Sequence, residues 1–272
     1  MGKRICYILP VPKTRSRQLS STFLRPILTL GVVAAAVVTS AVVAADPGDA
    51  HALDLGSSSS ARCTATAAAQ HGWGTPDHAD DFNSLSNWHV YEGAGHAGNG
   101  SRTRDAVSIS DGALAITSSI NGDSGGVTPT WAGRKYGRWE ICARTTIASP
   151  NWHAVALLWP DAEDWPVGGE VDFMEIVDAT RQAVQYNLHY GAQDTVETHT
   201  TFVDATAWHS WAVEWTPTHI AVFRDGVQWA ISTDPARFPP RAMHLALQLD
   251  NFGGIIVPTG QMFVDRVAEY GI

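Results

Sequence analysis

Cysteine is scarce, with three in 272 residues, too few for the disulfide framework that holds a small secreted scaffold together. Basic residues are scarce once the N-terminus is set aside. Six of the 18 Lys and Arg but only two of the 27 Asp and Glu fall in residues 1–52, so residues 53–272 carry 12 basic groups against 25 acidic ones, a formal charge of −13. That balance excludes a generic nucleic-acid binder, because neutralising phosphates takes clustered Lys and Arg, and it counts against polyanionic substrates. Sustained 3.6-residue periodicity is missing beyond the N-terminal region, and so is any internal repeat. What remains is about 220 residues, a normal length for one all-β sandwich with a real core, and eleven Trp, all beyond residue 52.

Residues 1–25 are basic, and residues 27–45 are apolar and uncharged, relieved only by Thr29, Gly31, Thr39 and Ser40. This is a positive n-region followed by an h-region. Asp46-Pro47-Gly48-Asp49 breaks any helix, and Ala50-His51-Ala52 supplies a small-x-small cleavage site, so residues 1–52 read as a signal peptide and the protein as secreted. The apolar run exceeds the usual ~7–15 residues of an h-region and approaches the ~20 of a membrane span, which keeps an uncleaved signal anchor as the alternative. In either case the rest of the chain lies outside the cytoplasm. Cys63 and Cys142 then face an oxidising compartment, either as one bridge or as one buried and one exposed thiol. Residues 53–79, with Gly56, four Ser and an Ala/Thr run, have little to bury and read as a flexible linker. The folded domain is expected over residues 80–272, opening at Asp80-Asp81-Phe82.

Within that domain, short alternating runs at residues 106–110, 113–117, 137–144, 211–215, 220–224 and 244–249 read as strands. Asp111-Gly112 and Asp225-Gly226 supply the positive backbone angles of tight hairpins; Asn121-Gly122 and Thr216-Pro217 mark further turns. Many strands at this spacing predict an all-β sandwich or jelly roll.

The densest chemical signal is Trp165-Pro166-Val167-Gly168-Gly169-Glu170-Val171-Asp172-Phe173-Met174-Glu175-Ile176. On a strand, Glu170 and Asp172 share one face while Val171 and Phe173 fill the other. Glu175 has the wrong parity unless a β-bulge near Phe173-Met174 adds one residue. Three acids on one face cannot all ionise cheaply, so at least one is pushed up in pKa. That condition pairs an ionised nucleophile with a protonated acid, as glycoside hydrolysis requires, with retention at a carboxyl separation of about 5–5.5 Å and inversion at about 6.5–9.5 Å. The bland alternatives are an acidic face on a solvated edge strand and a calcium site, which alternating strand positions cannot wrap as a loop does.

This segment resembles the active-site strand of glycoside hydrolase family 16 in its bulged, laminarinase-like form, Glu-x-Asp-x-x-Glu. Lys135-Tyr136-Gly137-Arg138-Trp139-Glu140, the run from Trp208 to Pro217, and Phe263-Val264-Asp265-Arg266-Val267 resemble further strands of that family, so the likeness spans roughly residues 81–272 in order. The resemblance implies a concanavalin-like β-jelly-roll sandwich with an open concave cleft. It implies a monomeric endo-acting enzyme that cleaves β-linked polysaccharides with retention, β-1,3 or mixed β-1,3/1,4 glucan first, with no required cofactor. Other β-linked glucans or galactans, transglycosylation and a non-catalytic sugar-binding module stand as alternatives. Glu170 would be the nucleophile, Glu175 the acid/base and Asp172 the residue that tunes the nucleophile.

Substrate contacts are carried over in the same way. Trp165 matches a sugar platform, with Trp159 and Trp131 as further candidates, since indole faces stack on sugar rings; Trp211 and Trp215 read as core. His189, in Asn187-Leu188-His189, would lie opposite the acids if the chain turns near Asp178 to Arg181. Glu140 and Gln248 match concave positions that hydrogen-bond sugar hydroxyls. Asp265 matches a position that holds structural calcium on the convex face, and reads equally well as a strand-end Asp. Where many family members have a Trp three residues before a Pro, this chain has Leu157 before Pro160. The GxGxxG at residues 93–98 lacks a strand-then-helix setting and reads as a loop at the cleft rim instead of a nucleotide site. The His and Cys show no zinc spacing.

Overall fold

The computed structural model describes residues 62–272. The signal segment at residues 1–52, with its signal-anchor alternative, lies outside them. One short helix, α1 (Ala67–His71), precedes seventeen strands: β1 (His78–Asp80), β2 (Trp88–Val90), β3 (Gly93–Ala94), β4 (Ser101–Arg102), β5 (Val107–Ser110), β6 (Ala113–Thr117), β7 (Gly126–Pro129), β8 (Gly137–Thr145), β9 (Trp152–Pro160), β10 (Glu170–Ile176), β11 (Ala183–Tyr190), β12 (Thr195–Phe202), β13 (His209–Trp215), β14 (Ile220–Arg224), β15 (Val227–Ser232), β16 (Met243–Asn251) and β17 (Gln261–Tyr270). They form two large antiparallel sheets. One runs β15-β14-β13-β8-β17-β6-β5 with β1 added on β17; the other runs β12-β11-β10-β9-β16-β7-β2. The first is the convex sheet and the second the concave sheet of a β-jelly roll.

Period-two patterning explains the layering. On β9, Trp152, Ala154, Ala156 and Leu158 point into the space between the sheets, and on β10 so do Val171, Phe173 and Ile176. From the convex sheet come Trp139, Trp211 and Trp215, each at most 1% exposed, which makes Trp211 and Trp215 core as their alternation suggested. The hairpins turn where Asp-Gly occurs: Asp111 and Gly112 have φ of 51° and 70°, Asp225 and Gly226 49° and 77°. Two successive positive φ values match the right-handed twist of the strands they join.

The linker expected over residues 53–79 requires correction from Arg62 onward. Cys63 is bonded to Cys142 on β8, which settles the two readings of those cysteines in favour of the bridge. Thr66 caps α1 by accepting from the Ala69 N–H, and Gly72 ends it in the left-handed region at φ 65°. Ala67 and Trp73 then pack on the outer face of the convex sheet with Ala212, Phe223, Ala268 and Tyr270. Small residues here are what close approach to a sheet requires, so a run poor in bulky side chains still has a face to bury.

Glu140 also requires correction. It lies on β8 in the convex sheet, level with Ala212 and Ala268, and faces away from the concave side. Its carboxylate accepts from the N–H groups of Ala67 (2.6 Å) and Ala68 (3.3 Å) and from the Ser210 hydroxyl (2.7 Å). It therefore caps α1 and has no route to a sugar.

Candidate active site

The floor of the concave side is set by β10 and its neighbours. Glu170 pairs with His189 and Asp172 with Asn187 on β11, as the expected turn demanded. The register then shifts between Asp172 and Met174 against β9. This bulge restores Glu175 to the face of Glu170 and Asp172 while Phe173 and Met174 stay in the core. β9 contributes His153, Val155, Leu157 and Trp159 to the same side, and β16 contributes His244, Ala246, Gln248 and Asp250, opposite them in register.

A cleft of about 970 Å³ crosses these strands from Glu170 toward β7 and β2. Trp159, Trp165, Gln248 and Trp131 line it. Trp165 is 43% exposed, with an indole free to stack. Trp159 donates from Nε1 to Glu163 Oε2 at 2.9 Å, which fixes its ring at the wall, and packs against the small patch of Val155, Leu157 and Ala246. Leu157, three residues before Pro160, is 2% exposed. Residues 94–97 of the Gly-rich run line the rim.

His189 stands across the ladder from Glu170. Its Nε2 lies 3.4 Å from Asp172 Oδ2 and its Nδ1 lies 2.7 Å from Asp194 Oδ1. The imidazole thus bridges Asp172 and Asp194 beside the acids. Asp265 pairs with Arg62 at 3.4 Å, and no group of three or more His, Cys, Asp or Glu that could hold a metal occurs among the described residues.

The acids are electrostatically unequal. Burial pushes the Asp172 carboxyl well above the usual range and the Glu175 charge adds to it, while a hydrogen bond with Glu170 pulls the other way. Glu170 is also pushed up, by burial first and then by Asp172. Neither can release its proton without regard to the other. Glu175 is held at both oxygens: His153 Nδ1 lies 2.7 Å from Oε1, and Asn187 Nδ2 donates to Oε2 at 2.5 Å. Thr198 donates to Asn187 Oδ1 at 2.7 Å, which sets the orientation of the amide.

Sequence reasoning missed His153, Arg102 and Asp250. Arg102 bonds Asp250 at 2.6 Å and also Gln248, so Gln248 is held in place from the rim. A signal existed for His153: it shares parity with Trp159 on a run whose other face is wholly apolar. Arg102 follows a Gly-rich loop and carried none.

The sequence pattern described as Glycosyl hydrolases family 16 matches residues 96–265. The chain is 34% identical to a beta-glucanase of Rhodothermus marinus over 113 residues, 36% of this chain and 38% of that protein, so it spans little more than a third of that relative's length. Among solved structures, it is similar to the catalytic domain of an endo-1,3-beta-glucanase (laminarinase) from Thermotoga petrophila RKU-1, with a TM-score of 0.61 and 18% identity, covering 72% of this chain and 97% of that one. A prokaryotic beta-1,3-1,4-glucanase (lichenase) derived from a mouse hindgut metagenome gives a TM-score of 0.62 at 18% identity, covering 72% and 99%. At such identities these structures share the fold.

Proposed function

Since the chain belongs to glycosyl hydrolases family 16, we propose that it is a secreted endo-β-glucanase that cuts internal β-1,3 or mixed β-1,3/1,4 bonds with retention. One observation carries this reading: Glu170, Asp172 and Glu175 face the same way from a central strand of the cleft floor, with Trp165 and Trp159 beside them.

The chemistry follows from the unequal acids. Burial raises both carboxyls, while the hydrogen bond between them raises Glu170 and lowers Asp172, so the pair shares a proton and Glu170 acts as nucleophile from the form in which Asp172 holds it. The Glu170 carboxylate attacks the anomeric carbon as the glycosidic C–O bond breaks, and Glu175 gives its proton to the departing oxygen. A water then gives its proton to the Glu175 carboxylate, its oxygen bonds the anomeric carbon, and Glu170 leaves as a carboxylate. The bridge of Cys63 to Cys142 supports export, because such bonds persist in oxidising compartments.

The test is reducing-end release by residues 53–272 on laminarin, mixed-linkage β-glucan, xyloglucan, agarose and carrageenan, with proton NMR of the first anomer formed. Cleavage of laminarin or mixed-linkage glucan with a β-anomeric product is expected, and Glu170→Gln should lose about four orders of magnitude in kcat. Binding without cleavage of any polymer would leave a sugar-binding module in its place.

A further inference from the structure

The acid/base assignment for Glu175 leaves one neighbour without a role. His153 stands beside it on β9, and its ring is clamped. Phe252, just after β16, stacks on His153 at 3.7 Å between centroids and 19° between planes, and His96 from the rim loop stacks on the other side of Phe252 at 4.1 Å and 20°. Three rings thus run from the cleft rim to the acid/base.

We propose that His153 is a positioning residue for proton transfer, holding the Glu175 carboxyl in the plane from which it protonates the leaving oxygen. The proposal rests on the hydrolase reading of the site. With Nδ1–H directed at Oε1, His153 donates to one oxygen and Asn187 to the other. Two donors at fixed places leave the carboxyl no rotation about its last side-chain bond, and its remaining lone pair or O–H is turned toward the cleft. When Glu175 has given its proton to the departing sugar, the same two N–H groups stabilise the carboxylate that remains, and no proton leaves the imidazole in either step.

The charged surroundings favour a donor at this place. Facing His153 are Glu175 from β10 and Asp250, its register partner on β16; Asp250 is bonded by Arg102 at 2.6 Å and has His96 Nδ1 at 3.9 Å. Asp250 is thereby engaged elsewhere, which leaves Glu175 as the acceptor for Nδ1. The ring stack supplies what a hydrogen bond alone does not. It fixes the plane of the imidazole, so the N–H vector cannot swing.

Leaving-group dependence separates positioning from mere support. A natural polymer leaves as a sugar alkoxide and needs the acid, whereas a 2,4-dinitrophenyl glycoside leaves without it. His153→Leu should lower kcat/KM on laminarin and mixed-linkage glucan about tenfold to a hundredfold. On the 2,4-dinitrophenyl glycoside of β-1,3-linked glucobiose, kcat/KM should stay within about threefold. His153→Gln, which keeps a donor, should restore at least part of the loss on polymer. Phe252→Leu removes the clamp from an accessible position and should show the same selectivity at about threefold to tenfold, so the comparison stands even if Leu at position 153 prevents folding. Equal losses on both substrates, or no loss on polymer, overturn the role of His153. A wild-type protein that cleaves neither polymer overturns the hydrolase reading itself, and Glu175→Gln run alongside identifies that case.

Discussion

At Asp172 the sheet buries a carboxyl beside two others, and the consequence can be read in pH. Its folded pKa is raised, so over the range from the ordinary carboxylate value up to the folded one the native state holds a proton that the unfolded chain has released. Stability from this group is present at low pH and is lost as pH rises through the folded value. Asp172→Asn should therefore melt close to wild type below about pH 4 and progressively above it as pH rises toward neutrality, which scanning calorimetry over a pH series measures. The same variant should be slower on polymer by about tenfold to a hundredfold, having lost the residue that balances Glu170. Trp165 predicts a different signature. Its exposed indole makes no reaction chemistry, so Trp165→Ala should raise KM about tenfold, near 1.5 kcal/mol of stacking, with kcat little changed; initial-rate kinetics on the preferred polymer tests it. These residues were legible because the acidic and aromatic positions of one short run alternate with apolar ones. His153 was harder to see, since a lone His on a strand is ordinary until its neighbour across the ladder is known.

Among the elements, the segment before β1 matters most to what can be removed. Residues 62–79 supply a helix, a buried Trp and the bridge to β8. A chain begun at Asp80 should lose about 3 kcal/mol or more and melt about 6–12 °C lower than one begun at Leu53, as thermal denaturation followed by circular dichroism would record. A smaller loss would mean that the convex face is adequately covered without them. The strands themselves were readable from alternation, and β6 (Ala113–Thr117) and β14 (Ile220–Arg224) have the bounds their sequence suggests. Which sheet a strand joins was not readable, and Glu140 shows why. Period two separates the faces of a strand but not the partner sheet, so a carboxylate on β8 looks the same from the sequence whether it meets a sugar or a helix N-terminus.

For the whole molecule, the reading of residues 1–52 as a removed signal predicts a mature N-terminus near Leu53 when the protein is collected from the medium of a secreting host. Mass spectrometry of the intact protein decides this, and retention of the apolar run in a cell-bound form would favour the anchor instead. The jelly roll adds a geometric consequence of its own. The described chain enters at Arg62, beside Asp265 and one residue from the bridge to β8, and it ends two residues after β17. Both ends belong to the convex sheet, and the cleft belongs to the other. A fusion partner or solid support joined after Ile272 is therefore attached through the rear layer, and immobilised enzyme should keep its open face toward an insoluble glucan.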